Sequence, residues 1–262
     1  MAEIAVMGAG VFGLGTAFAL ARRGARVVVV ERDHIGAGAS GGVVGALAPH
    51  VPEQWNAKKA FQFDSLIMAA GFWADVARIG GQDPGYARLG RVQPLADDAA
   101  VALAHARSET AKTLWQGRAE WRVCPAGEVP GISVQSATGM VVHDTLTARL
   151  SPRSAGAALA AAITALGGEI RRGTTPPPGM PVVWATGVAG LRALGDDLGM
   201  PMGGAVKGQA ALLEADWRNA PQVFAEGLHL VPHADGTLAI GSTSERVFDA
   251  PDTTDGQLET LI

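Results

Sequence analysis

The hydrophobic pattern changes period along the chain, and each change predicts an element. Glu3 to Met7 is a short apolar run that stops at glycine, and Phe12 to Arg23 reads as a helix ending at Gly24. Val27 to Val30 is four valines in a row. A continuous β-branched run marks a strand buried on both faces, as in parallel sheets. Residues 3–31 therefore predict a strand–helix–strand unit. Further on, Phe63, Leu66, Ile67, Ala70 and Trp73 recur at helical spacing. They lie in a helix predicted from Ala57 to Ile79, capped by Asn56 and ended by Gly80-Gly81. Another helix, capped by Asp97 or Asp98, closes at Gly117. Ser151-Pro152 opens a third, to Leu166, with proline where the first-turn amide is free anyway. Short strand patterns fall at Arg91–Leu95, Gly139–His143, Glu169–Arg172 and Val182–Ala185. From Ala205 to Ile240 the chain reads as strands and turns, with a hairpin at Ala234–Thr237. Thr254 and Gln257 have the spacing of a capping box and open a last helix. The pattern as a whole predicts an α/β protein.

Composition narrows the function classes. The chain has 262 residues, 48% of them apolar and 18% charged, which suits a globular core rather than disorder. Mean hydropathy is +0.18. The net charge is −4, and the basic pairs Arg22-Arg23, Lys58-Lys59 and Arg171-Arg172 never grow into a run, so no nucleic-acid partner is expected. Cys124 is the one cysteine, which excludes an internal disulfide and favours a reducing, cytoplasmic setting. No apolar run is long enough for a membrane span. Glu3 sits where the basic region of a signal peptide would be, which argues against that reading of the N-terminus.

The glycines carry the chemistry. Gly8, Gly10 and Gly13 form G-x-G-x-x-G, with a strand before, a helix after, a second strand on schedule and an acid, Glu31, at its end. Gly8 permits the tight turn, Gly10 lets the backbone approach a pyrophosphate, and Gly13 lets helix and strand pack closely. The helix N-terminus offers free N–H groups and a partial positive charge to that anion, worth roughly 0.3–1 kcal/mol. Glu31 is placed to accept hydrogen bonds from ribose hydroxyls and disfavours a 2′-phosphate. NAD and FAD both remain open on the turn alone. An NAD domain would continue with another helix and strand. This chain instead enters a second glycine-rich stretch, residues 36–48, suited to backbone running along a long flat ligand, and Ser40 adds a hydroxyl to it. That favours FAD.

The stretch "GAGVFGLGTAFALARRGARVVVVERD" followed by "GASGGVVGALAPH" resembles the N-terminal part of FAD-dependent oxidoreductases of the D-amino-acid oxidase and glycine oxidase type. Later segments agree: "VVWATG" at Val182–Gly187, "KGQ" at Lys207–Gln209 and "LHLVPHADGTLAIGSTSE" at Leu228–Glu245. The resemblance implies a Rossmann-like FAD-binding domain, discontinuous over 1–78 and 148–202, and a sheet-based substrate domain over 79–147 and 203–262. By position it implies that Val11 and Phe12 line the pyrophosphate turn beside Gly8, Gly10 and Gly13. Glu31 and Arg32 would meet the adenosine, and Ala39 and Ser40 the diphosphate. Val44, Gly45 and Ala46 would lie near the isoalloxazine, and Ala185, Thr186 and Gly187 would make the second approach to the cofactor. The chemistry it implies is removal of hydride from a carbon bearing an amine, giving an imine that water hydrolyses, with O2 or another acceptor taking the electrons. The substrate would be a small amine or amino acid.

The chain departs from that family in places. Residues 173–181 are short and proline-rich where the family has extra strands. His229 stands where the family often has a tyrosine, and His233 where it has an arginine. The family continues into a segment with a carboxylate-binding arginine and a glycine-rich closure over the flavin. The expectation is that this chain, ending at Ile262, lacks that segment and that its substrate domain is C-terminally incomplete. Catalytic residues therefore stay unassigned, with His50 and His229 as candidate pocket residues. The plainer alternatives are a satisfied loop histidine for His50 and a strand-surface histidine for His229. No metal site is expected. Cys124 reads as a buried thiol, and Trp55, Trp73, Trp115 and Trp121 as packing residues. The competing functions are an FAD enzyme acting on a hydroxy acid or a modified nucleoside, and a catalytically incompetent flavoprotein.

Overall fold

The computed structural model describes residues 2–261. In chain order the elements are β1 (Glu3–Met7), α1 (Val11–Ala21), β2 (Arg26–Glu31), β3 (Ala46–Leu47), α2 (Ala57–Gly80), β4 (Arg91–Pro94), α3 (Asp98–Leu114), β5 (Trp121–Pro125), β6 (Met140–Asp144) and β7 (Ala148–Arg149). There follow α4 (Pro152–Ala165), β8 (Glu169–Arg172), β9 (Val182–Trp184), α5 (Gly187–Leu198), β10 (Ala210–Glu214), β11 (Gln222–Ala225), β12 (Leu228–Pro232), β13 (Thr237–Gly241) and α6 (Gly256–Glu259).

Two sheets organise the molecule. The first has the order β8-β2-β1-β9, and all of its pairings are parallel. The second has seven strands in the order β10-β13-β12-β11-β4-β6-β5, antiparallel except for β11 with β4. Each sheet takes strands from two separate stretches of chain. A two-stranded ribbon, β3 with β7, lies between them. This is the expected α/β architecture, a Rossmann-like parallel core with a second sheet.

The four valines of β2 behave as their run predicts. Val27 and Val29 pack into the core formed with Leu14, Phe18, Trp73 and the α4 face, while Val28 and Val30 pack with Met7, Met180 and Val182 on the other side. Burying each such side chain contributes roughly 1.5–3 kcal/mol. Helix α2 joins the halves. Its C-terminal turns place Ala69, Trp73 and Val76 in the parallel-sheet core. Its N-terminal turns place Phe63 and Leu66 in the core under the second sheet, with Trp115, Trp121 and Leu146. Gly80 lets α2 touch α4, because a Cβ there would lie 2.7 Å from the Ala162 nitrogen. Cys124 is buried beside Val92, Val129 and Val141.

Several caps fall where the sequence puts them. Asn56 accepts from the Lys59 N–H and Asp97 from the Ala100 N–H, and Gly81 closes α2 in the left-handed conformation. The last helix is a correction. Its N-cap is Asp255, whose side chain accepts from the Gln257 N–H, rather than Thr254. The tertiary structure decides this: Gln209 Nε2 donates to Asp255 Oδ1, Gln209 Oε1 accepts from the Asp255 N–H, and Lys207 Nζ lies 3.2 Å from Asp255 Oδ2. Helix α5 was not foreseen, since the glycines at 187, 190 and 195 dilute its helical signal. Several element ends also differ from expectation by one to three residues: α1 runs Val11–Ala21, α3 ends at Leu114, β4 ends at Pro94, β6 runs Met140–Asp144, and the segment read as strand to Ala185 ends at Trp184.

Two stability outcomes follow. Gly45 has φ +65° and an added Cβ would lie 1.8 Å from the Leu150 oxygen, whereas Gly24 has φ +84° with nothing near. Gly45→Ala should lower stability by about 3 kcal/mol or more, and Gly24→Ala by about 1–2 kcal/mol, read as shifts in urea midpoint. The second concerns acid. Hydrogen bonds from Thr243 and Gln209 hold Glu245 below its usual 4.5, and hydrogen bonds from Gln209 and the Gln257 N–H hold Asp255 below its usual 3.8. Depressed carboxyls stabilise the fold above those values, and the contribution fades as pH falls beneath them. Limited proteolysis at pH 3.5 should therefore cut 243–261 faster, relative to the rest of the chain, than at pH 7.

Candidate cofactor-binding site

The glycine turn is closed by backbone on every side. Gly8 has φ +104°, and a Cβ on it would lie 2.4 Å from the Ala185 oxygen. A Cβ on Gly13 would lie 1.9 Å from the Gly8 oxygen. Only glycine allows strand, helix and the 185–187 segment to meet this closely. The Ala185 N–H donates to the Met7 oxygen, and the Gly36 N–H to the Ala9 oxygen, so both later segments are tied to the turn. Gly8, Gly13, Ala185, Thr186 and Gly187 are thus brought together.

Glu31 holds the turn as well as facing outward. Its Oε2 accepts from the Ala9 N–H at 2.7 Å and its Oε1 from the Asp33 N–H at 3.0 Å. A cleft of about 240 Å³ opens beside it, lined by Glu31, Asp33, His34, Ile35, Ile170, Arg171 and Arg172. Arg32 pairs with Asp33, and its carbonyl accepts from Arg172 Nε. A larger cleft, about 460 Å³, lies along the C-terminal half of α5 and residues 199–203, away from the turn.

Ser40 lies on the short 3₁₀ turn Ala39–Gly41. Its Oγ accepts from the Val11 N–H at 2.9 Å, at the open start of α1. A Cβ on Gly10 would lie 3.1 Å from that same oxygen. Gly10 therefore makes room for Ser40 as much as for any ligand, a relation the turn motif by itself does not announce. Arg153 Nε donates to the Gly41 oxygen and anchors the 3₁₀ turn. Val11 and Phe12 stand exposed at the helix start, Phe12 at 84%.

Residues 43–46 cross from the turn to the second sheet. Val43 accepts from His233 Nε2 at 2.8 Å, and a Cβ on Gly241 would lie 2.9 Å from Val44 Cγ2. Ala46 pairs with Arg149, and Gly45 backs onto Leu150. His229 lies opposite Gly241 on the same sheet face, so it belongs to the wall beside Val44. Burial, with the Arg91 cation as a smaller cause, holds His229 below the usual imidazole range and keeps it neutral at pH 7. His50 is more occupied: Gln62 Oε1 accepts from its backbone N–H at 2.7 Å and also contacts its Nδ1. His229 and His233 are four apart, a spacing that would suit a metal on a helix. His229 is on β12 and His233 just past its end, separated by about 13 Å of extended chain, and no metal-binding cluster occurs among the described residues. No helix among the described residues is long and apolar enough to cross a membrane.

Residues 3–262 match the family model described as "FAD dependent oxidoreductase", DAO. The chain belongs to this family. FAD is the cofactor of the family, and the turn, its free N–H groups and the cleft at Glu31 are a fitting cradle for it. Solved structures agree on the fold. Glycine oxidase from Geobacillus kaustophilus is 21% identical with a TM-score of 0.74, covering 100% of this chain and 76% of its own. Iminodiacetate oxidase from Chelativorans sp. BNC1 is 22% identical with a TM-score of 0.78, covering 98% and 76%. L-proline dehydrogenase from P. horikoshii is 18% identical with a TM-score of 0.70, covering 95% and 72%. No curated protein matches the sequence.

Ser40→Ala removes the acceptor of the Val11 N–H. The variant should lose about 0.5–1.5 kcal/mol of stability and bind FAD several-fold more weakly, measured by urea titration and by flavin fluorescence quenching.

Proposed function

We propose that this protein oxidises the C–N bond of a small amine or amino acid, with FAD held along the glycine turn and the 39–46 segment. The observation that carries the reading is the convergence of three backbone segments, 8–13, 39–46 and 185–187, on the open N-terminus of α1. Gly8, Gly10, Val11, Phe12 and Gly13 would hold the pyrophosphate. Ala39 and Ser40 would add donors there. Glu31 and Arg32 would take the adenosine end, at the cleft that Glu31 lines. Val44, Gly45 and Ala46, with Ala185, Thr186 and Gly187, would support the flavin end. In this reading, 1–78 and 148–202 form the cofactor domain, and 79–147 and 203–262 the substrate domain.

When bound, FAD supplies a two-electron acceptor for a hydride leaving the carbon next to nitrogen. The protein's part is position and electrostatics. The sheet face carrying His229 and Gly241 would set the substrate against residues 44–46, and apolar Val44 and Phe224 would exclude water from that face. Neutral His229 adds no cation to repel an ammonium substrate. The similar solved structures of a glycine oxidase, an iminodiacetate oxidase and an L-proline dehydrogenase support the amine reading.

The purified protein should be yellow, release FAD on heating, and bleach under anaerobic conditions when given the right amine. Gly10→Val adds bulk against Ser40 and the pyrophosphate and should abolish flavin binding while far-ultraviolet circular dichroism stays unchanged. Full flavin occupancy in that variant would overturn the assignment of the turn.

A further inference from the structure

Two parts of the chain that the cofactor reading treats separately are tied together by buried polar groups. Residues 43–46 lead away from the glycine turn, and strands β12 and β13 belong to the second sheet. His233, just past β12, is 4% exposed. Its Nε2 lies 2.8 Å from the Val43 carbonyl oxygen, 190 residues back in the chain. A carbonyl oxygen only accepts, so Nε2 carries the proton and donates. Among the described residues, Nδ1 has no hydrogen-bond partner. The hairpin holds the backbone of His233 in place: its N–H donates to the Thr237 oxygen at 2.8 Å, and its oxygen accepts from the Gly236 N–H.

Two further contacts close a ring around the same segment. Val44 sits in the hollow that Gly241 leaves on β13, where an added Cβ would lie 2.9 Å from Val44 Cγ2 and 2.6 Å from the Ala210 Cβ. Ala46 pairs with Arg149 across the β3–β7 ribbon, and Arg149, itself buried, donates from Nη1 to the Pro232 oxygen at 2.8 Å. Pro232 directly precedes His233. The chain therefore closes on itself, from 43–46 through Arg149 to 232–233 and back to Val43. Between these points Gly45 has φ +65°, and its oxygen accepts from the Leu150 N–H at 3.0 Å. Residues 43–46 are thus held by a donor at Val43, a hollow at Val44, a backbone hydrogen bond at Gly45 and a strand pairing at Ala46.

We propose that His233 is a positioning residue for the flavin. By holding the Val43 carbonyl it sets where the backbone of 44–46 meets the isoalloxazine, and with Val44 in its hollow it couples β12 and β13 to the cofactor. The bond needs one N–H at the reach of Nε2. Glutamine offers an amide N–H at a similar reach, whereas leucine fills similar space and leaves the Val43 oxygen without its donor. Protein groups beside the ring tune the electronics of a flavin, so a displaced 44–46 backbone is read in the spectrum and potential of the cofactor itself. The same coupling makes part of the second sheet respond to FAD. This inference rests on the flavoenzyme reading above and deepens it.

The test compares the wild type with His233→Gln, His233→Leu and Val44→Ala, with folding checked by far-ultraviolet circular dichroism. Fluorescence quenching measures FAD affinity, and visible circular dichroism and the midpoint potential report the surroundings of the bound flavin. His233→Leu should weaken FAD about three- to tenfold, the range of one neutral hydrogen bond, and shift both the visible dichroism and the potential. His233→Gln should keep all three near the wild-type values. Val44→Ala should act in the same direction as His233→Leu, more weakly. In the wild type, amide hydrogen exchange over 228–241 should slow several-fold when FAD binds, and His233→Leu should abolish that slowing. Should His233→Leu fail to fold, the wild-type exchange and Val44→Ala decide the matter. A folded His233→Leu or Val44→Ala with wild-type affinity and flavin spectrum, a His233→Gln as impaired as His233→Leu, or exchange over 228–241 indifferent to FAD overturns the proposal. A protein that takes up no FAD overturns the flavoenzyme reading instead.

Discussion

The molecule depends on one close approach, where the backbones of β1, α1 and residues 185–187 meet at Gly8 and Gly13. Gaps of 2.4 and 1.9 Å to would-be Cβ atoms leave no room for any other residue. This contact opens the N-terminus of α1 toward the 39–41 turn, where Ser40 Oγ accepts from the Val11 N–H, and it draws β9 alongside β1 in the parallel sheet. The partial positive charge of α1, the Ser40 hydroxyl and the outward side of Glu31 acquire a common direction only because the turn is this tight.

The second sheet depends on that closure indirectly. Residues 43–46 leave the turn, cross the sheet face at His233 and Gly241, and pair with β7 at Arg149. Helix α2 ties the same two regions from behind, with one end in each core. Residues 43–46 and the second sheet are thus held in register by a short ribbon and a long helix. The polar face of Arg91, Gln93, Gln222 and His229 ends up beside the segment assigned to the flavin.

Local signals made much of this legible. The β1–α1–β2 unit, the Asn56 and Asp97 caps, the Pro152 start and the hairpin at 234–237 each rest on residues a few positions apart, and each appears in the fold. Cofactor choice was legible too, because a second glycine-rich stretch follows the first in the chain. Helix α5 was not, since its glycines speak against helix and its face is settled by the turn at Thr186. Nor was the cap at Asp255: two good capping residues sit side by side, and Gln209, 46 residues away, selects one.

By itself, the sequence determined the strand–turn–helix cradle, its acid at Glu31 and the family to which the chain belongs, because short-range sterics and glycine placement admit few other solutions. Only the tertiary structure decided that Ser40 accepts from the start of α1, that His50 is engaged by Gln62 while His229 stands opposite Gly241, and that Arg91 pairs with Asp144 and stacks on Phe224. Those relations join residues 12 to 133 positions apart, beyond the reach of any local pattern.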